Sequence, residues 1–230
     1  MEFMKCLQAS GMNNYVVATT KSWNIDAFYE NCHGGWCLIT EQEVLTLECL
    51  RRLRPRYVFF PHWSWVVPPE ILAEFECVCF HLTDVPFGRG GSPLQNLITS
   101  GYKTTKLTAL KMTNELDAGP VYGKLDVDLT GKAERIYDQV AELCYAHIRH
   151  IIANEPIPAE QEGEVTYFKR RKPAESVLPY RFHQCYDHIR MLDAPDYPKA
   201  FIERGDLRLE FTDAVETKDG IEAKVVITNV

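Results

Sequence analysis

Residues 79–93 read Cys-Phe-His-Leu-Thr-Asp-Val-Pro-Phe-Gly-Arg-Gly-Gly-Ser-Pro. Here His81 ends an apolar run and opens a glycine-rich loop that also carries Arg89. An imidazole gains and loses a proton near neutral pH and can donate a hydrogen bond as well, so this position suits proton transfer at a reacting centre. A second loop, 114–119, reads Asn-Glu-Leu-Asp-Ala-Gly, and its Asp117 could reach His81 and fix the tautomer of the ring. Gly90, Gly91 and Ser92 open a helical segment, where backbone N–H groups beside small residues can hold an anion or a sugar hydroxyl. Two Cys/His groupings, Cys32 with His33 and Cys37, and Cys144 with His147 and His150, lack a paired Cys-x-x-Cys element. No metal is expected there.

These residues need elements to hold them. Residues 15–19, 36–39, 57–60 and 77–81 read as short strands, and 25–32 and 41–54 have helical spacing between them. The second helix is expected to open with a capping box, Thr40 and Glu43. A β-α-β-α-β order predicts an open twisted sheet whose ligands bind beyond the carboxyl ends of the strands, at 61–65 and 81–91. A short helix over 93–100 follows, then strands over 104–112 and 121–127, and a long amphipathic helix over 132–152. After Asn154 the residues Pro156, Pro158, Gln161 and Gly163 mark a connector. The tail resumes with a helix over 182–192 and a hairpin of 207–211 with 221–227, turning at Asp219 and Gly220.

The loop pattern resembles the 10-formyltetrahydrofolate-dependent formyltransferases. That family carries Asn-x-His, then Pro, Arg-Gly and Pro at fixed steps, and a Leu-Asp-x-Gly loop further on. Here Pro86, Arg89, Gly90 and Pro93 stand at those steps from His81, and Leu116, Asp117 and Gly119 supply the second loop. The resemblance spans roughly residues 15–205. Among family members the chain is most similar to sugar N-formyltransferases of the pseudaminic acid type, on 81–98 and 189–201. It implies a Rossmann-like α/β formyltransferase core with a parallel-rich twisted sheet at 1–165, and a small α+β C-terminal domain at 166–230 ending in a β-hairpin.

The implied reaction is attack of an amine on the formyl carbon through a tetrahedral oxyanion, with 10-formyltetrahydrofolate as donor and no metal. His81 would take the proton while Asp117 orients it. The family asparagine falls on Cys79, a weak donor, so a backbone N–H or the amide of Gln95 or Asn96 would have to replace it. The likeness puts the pterin slot beside the loop His62, Trp63, Ser64, Trp65, Val66 and Val67 and the backbone of Thr113, Asn114, Glu115 and Leu116, with Arg89 near the junction of the two ligands. Arg170 and Arg171, in the basic run Lys169–Lys172, offer fork-shaped donors to a nucleotide diphosphate. The acceptor implied first is a UDP-linked 4-amino-4,6-dideoxy sugar, feeding surface polysaccharide or flagellin glycan synthesis. Methionyl-tRNA is the alternative acceptor, and a non-catalytic folate or nucleotide binding module is the alternative from another class.

Composition bounds these readings. The 230 residues, 46% of them hydrophobic, are enough for one good core and exclude a disordered chain or a disulfide mini-protein. A net charge of −7 disfavours binding carried by phosphate neutralisation, so no nucleic acid partner is expected. No apolar run approaches the ~20 residues of a membrane span, and no signal peptide pattern is present. The protein is therefore expected to be cytoplasmic, with eight reduced cysteines and no disulfide. The hairpin could pair across a homodimer.

Overall fold

The apolar runs that lead towards His81 assemble side by side. The structure, a computed structural model, describes residues 4–6 and 14–230. In chain order its elements are β1 (Met4–Cys6), β2 (Asn14–Ala18), α1 (Ser22–Asn31), β3 (Trp36–Ile39), α2 (Leu47–Leu53), β4 (Pro55–Pro61), α3 (Pro69–Glu74) and β5 (Cys77–His81). Then come β6 (Arg89–Gly90), α4 (Pro93–Thr99), β7 (Thr104–Lys111), β8 (Val121–Asp128), α5 (Ala133–Asn154) and β9 (Tyr167–Phe168). The last elements are α6 (Phe182–Arg190), β10 (Ala200–Arg204), β11 (Leu207–Glu216) and β12 (Ile221–Asn229).

Seven strands form one sheet in the order β1-β3-β2-β4-β5-β7-β8. The pairs β2–β3, β2–β4 and β4–β5 are parallel, as the crossover helices between them require, whereas β1–β3 and β5–β7 are antiparallel. After β2 the chain first builds outwards to β3 and then returns to lay β4 on the other side of β2. That reversal is a topological switch point, and in open α/β sheets the crevice for ligands lies beyond the strand ends there. The register Phe60 to Cys79 and Pro61 to Phe80 brings the ends of β4 and β5 level. Val58, Phe60 and Cys77 join Leu50, Val67 and Ile71 in one buried cluster, against which Trp63, Cys79 and Met112 also pack.

Two local expectations fail. The capping box at Thr40 and Glu43 does not form: 42–44 make a single 3-10 turn, and Thr46 caps α2 by accepting a hydrogen bond from the Cys49 N–H at 3.1 Å. Thr46 is the hydroxyl that directly precedes the Leu47, Leu50, Leu53 spacing, so helix begins there. The expectation of no disulfide also fails. Cys37 is disulfide-bonded, in a register that sets it opposite Cys6 of β1, a strand the sequence reading did not include.

By contact density the chain divides into two units. The first is Met1–Arg89, Lys106–Asp126 and Val140–Tyr167; the second is Gly90–Thr105, Val127–Gln139 and Phe168–Val230. In the second, β10, β11 and β12 form a three-stranded antiparallel sheet. The expected hairpin is thus present, lengthened by the extra strand β10. In the same unit Arg190, 3% exposed, ties α6 to the carbonyls of Leu129 and Gly131. Among the described residues no helix is long and apolar enough to cross a membrane.

Candidate active site

His81 is the last residue of β5 and is buried. Its Nε2–H donates to the Gly88 carbonyl at 2.8 Å. A carbonyl only accepts, so in the neutral ring the lone pair falls on Nδ1. Nδ1 stands 3.5 Å from Oδ2 of Asp117, whose side chain is 12% exposed. The two residues singled out by type therefore do meet, but the backbone of the glycine-rich loop, rather than Asp117, fixes the tautomer. What remains is a lone pair and a carboxylate facing each other, a pair of acceptors for a nitrogen that is losing a proton.

The loop carrying Asp117 is held by close fit. Asp117 takes a left-handed φ of +51°, a conformation that aspartate tolerates better than most residues. A Cβ on Gly119 would lie 1.7 Å from the Lys111 carbonyl oxygen, so only glycine lets this turn approach β7. Gln161 clamps the turn from the connector. Its Nε2 donates to the carbonyls of Asp117 and Gly119, each at 2.8 Å, while its Oε1 accepts from Nε and Nη2 of Arg89. Arg89, 7% exposed, also reaches Glu115 at 3.3 Å. Its guanidinium thus braces the loop 115–119 from beneath. Gln161 was read from sequence only as part of a connector; a lone polar residue among prolines gave no signal of this role. Thr166 straps the glycine-rich loop in turn, accepting from the Gly88 N–H through Oγ1 and from the Arg89 N–H through its carbonyl.

Cys79 lies two residues before His81, beside Phe60 and Leu110. Burial, and after it the charge of Asp117, pushes its thiol well above the ordinary cysteine value, so it stays protonated. The two side-chain donors offered for this position, Gln95 and Asn96, are engaged elsewhere, inside the second unit. Gln95 Nε2 donates to the Tyr137 hydroxyl and the Met191 carbonyl, and Asn96 Nδ2 to the carbonyls of Gly91, Ser92 and Lys169.

The expected pterin slot also lies in the first unit. Trp63 and Trp65 meet edge to face at 5.0 Å, Ser64, Trp65 and Val66 are exposed, and Val67 is buried. The indole N–H of Trp63 is buried and finds no hydrogen-bond partner among the described residues. Thr113, Asn114, Glu115 and Leu116 are exposed in a loop entered from Met112, which packs against the same core cluster as Trp63. An unsatisfied donor, aromatic faces and an exposed loop backbone fit a flat heteroaromatic ring edged with acceptors.

The remaining expected residues, Gly90, Gly91, Ser92, Arg170 and Arg171, belong to the second unit. The Gly91 N–H donates to the Phe168 carbonyl, and the Ser92 hydroxyl accepts from the Arg171 N–H at 3.0 Å. A Cβ on Gly91 would lie 2.5 Å from that of Arg170, so the two segments run in contact. Much of the backbone polarity read as an anion site is therefore used to hold the segments together. The Arg170 side chain is exposed, and Arg171 donates to the Glu175 carbonyl. Among the described residues no three His, Cys, Asp or Glu side chains are placed to hold a metal ion.

Residues 173–228 match a family described as methionyl-tRNA formyltransferase, C-terminal domain. A solved structure described as methionyl-tRNA formyltransferase from Clostridium thermocellum is 44% identical with a TM-score of 0.91, covering 95% of this chain and 100% of that one. Methionyl-tRNA formyltransferase of Bacillus subtilis (strain 168) is 28% identical over 174 residues, 70% of this chain and 55% of its own length. The chain spans about half the length of the curated relatives it matches. The formyltransferase PseJ from Anoxybacillus kamchatkensis, solved with UDP-4,6-dideoxy-4-formamido-L-AltNAc and tetrahydrofolate, covers 68% of this chain with a TM-score of 0.54 at 13% identity, a likeness of fold alone. The family resemblance read from the loop sequences is shown, whereas a special similarity to pseudaminic acid enzymes is not, since the relatives with the higher identities are described as methionyl-tRNA formyltransferases.

Proposed function

The chain belongs to the formyltransferase family that includes methionyl-tRNA formyltransferase, and from that premise we propose that it moves a formyl group from 10-formyltetrahydrofolate to a primary amine. The observation that carries this reading is the pair of acceptors at Nδ1 of His81 and Oδ2 of Asp117, 3.5 Å apart. A primary amine is protonated near neutral pH and must lose a proton to become a nucleophile. An ammonium set to one side of the pair, within hydrogen-bond reach of both atoms, would donate to both and surrender one proton to His81, leaving its lone pair for the formyl carbon. As the tetrahedral adduct collapses, the charged ring would return a proton to the departing N10 of tetrahydrofolate. The donor supplies the activated formyl group when bound, and the unsatisfied Trp63 indole with the loop Thr113–Leu116 is the part of the chain that fits its pterin. The chemistry rests on His81, Asp117 and the loops around them, all within the first unit.

For the acceptor, the names of the relatives support the α-amine of methionyl-tRNA first. That reverses the order expected from the loop sequences and admits a nucleic acid partner. The amine of a nucleotide-linked amino sugar is the second reading, favoured by the net charge of −7, which is unhelpful for holding RNA. The test is to incubate purified protein with 10-formyltetrahydrofolate and, separately, methionyl-tRNA or a panel of amino sugar nucleotides. Release of tetrahydrofolate and the mass of one added formyl group are followed. His81→Ala should abolish transfer while the protein keeps its circular dichroism spectrum. Release with neither acceptor class would end the enzymatic reading.

A further inference from the structure

The lone pair on Nδ1 of His81 depends on Nε2 keeping its proton, and Nε2 keeps it on the carbonyl of Gly88. Gly88 is poorly suited to hold that carbonyl by itself. It has no side chain and takes a φ of +70°, in a region where glycine moves freely and other residues do not. If the peptide joining Gly88 to Arg89 turned over, its N–H would face the ring in place of its carbonyl. A neutral imidazole would then need its lone pair on Nε2 and its proton on Nδ1. Nδ1 would accept nothing from an amine, so a contact from outside the loop has to fix this peptide.

Thr166 supplies that contact from 78 residues further on. Its Oγ1 accepts from the Gly88 N–H at 2.7 Å, its carbonyl accepts from the Arg89 N–H at 3.0 Å, and its own N–H donates to the Pro86 carbonyl at 3.2 Å. The bond from Arg89 sets direction. In a trans peptide the C=O and N–H point opposite ways, so an Arg89 N–H held on Thr166 sends the Gly88 carbonyl away from Thr166, and there His81 Nε2 meets it at 2.8 Å. The bond to Oγ1 fixes the other side of the Gly88 Cα. With both flanking peptides held, φ and ψ of the glycine are no longer free. Thr83 Oγ1 reaches the same carbonyl at 3.4 Å, too long to direct it strongly. Thr166 is half-buried, and all of these residues lie in the first unit.

We propose that Thr166 is a positioning residue for His81: by holding the peptides on both sides of Gly88 it keeps the ring proton on Nε2 and the lone pair on Nδ1, the atom that takes the proton of the incoming amine. The inference rests on the formyl-transfer reading of the His81–Asp117 pair and adds to it the residue that sets the protonation pattern of the ring.

The tautomer is read without turnover, from ¹⁵N spectra of the histidine-labelled full chain at pH 8, with the His81 signals identified by their loss in His81→Ala. Wild type should show the Nε2–H tautomer. Thr166→Val keeps the branched shape and loses the accepting oxygen, so its His81 shifts should move towards a mixture with Nδ1–H. Its kcat for formyl transfer should fall about 10- to 100-fold while the KM of the donor changes less than about threefold. Thr166→Ala, which also lacks the oxygen, must behave as Thr166→Val does, and Thr166→Ser, which retains it, should match wild type in both spectrum and kcat. An Nδ1–H tautomer in wild type, or unmoved His81 shifts in the valine and alanine variants, overturns the proposal. So does a serine variant as impaired as the valine one, since the methyl group rather than the oxygen would then be what matters. Wild type that shows Nε2–H yet transfers formyl to neither acceptor class ends the formyl-transfer reading and leaves the tautomer assignment standing.

Discussion

Cys79 stands where the family resemblance calls for an amide, and its sulfur invites a covalent relay. The side-chain environment argues otherwise. A thiol whose proton is held by burial and by the neighbouring Asp117 charge is a poor nucleophile, because the thiolate is the reactive form. Iodoacetamide at pH 8 should therefore leave Cys79 unmodified by peptide mass. Cys79→Ala should keep kcat within about fivefold of wild type, whereas a relay through a thioester would lose turnover altogether. That His81 and Asp117 meet was legible because the loop resemblance sets both in register, where a lone histidine at a strand end would have carried little. The roles of Gly88 and Gln161 were not. A backbone carbonyl has no letter in the sequence, and Gln161 acts on carbonyls 42 and 44 residues away.

At the level of elements, the connector after α5 joins the loop of Asp117 to Arg89 through Gln161. Gln161→Ala would leave a guanidinium that is 7% exposed without its main acceptor and free two carbonyls at once. The cost should be about 1.5–3 kcal/mol in urea unfolding. Asp117 would also lose its fixed place beside His81, so kcat should drop about 10- to 100-fold. A variant as stable and as fast as wild type would refute the clamp. The strands 36–39 and 77–81 were legible to the residue because continuous apolar runs between turn residues have one reading in a sheet buried on both faces. The region 41–54 was misread because Val44 and its leucines satisfy a helical period from Val44 onwards, while the backbone starts helix only at the hydroxyl of Thr46. Strand β10 escaped notice since Ile202, Glu203 and Arg204 face outwards and carry no alternation. It is defined by pairing with β11 rather than by its own residues.

For the molecule as a whole, imidazoles held partly or wholly away from water decide how it responds to acid. Burial lowers His62 to about 4 and also lowers His147 and His188, so each of the two units holds at least one such ring. The unfolded chain binds a proton at each site near the ordinary value of about 6.5, and the folded protein binds it only at lower pH. Between those values the unfolded state carries more protons, so stability rises with pH and is lost as pH falls from about 6.5 towards 4. Carboxylates with lowered values, such as Asp128 and Asp213, act in the same direction at the acid end. For His62 the loss is at most about 3 kcal/mol, which in a protein of this size corresponds to a fall of Tm of roughly 6–12 °C. Differential scanning calorimetry from pH 7.5 to 4.5 should record that fall. His62→Gln, which cannot take up a proton, should flatten the slope between pH 6.5 and 4.5. A Tm profile that is level for wild type, or equally steep for the variant, would mean that the ring beside the switch point is neither buried nor held neutral.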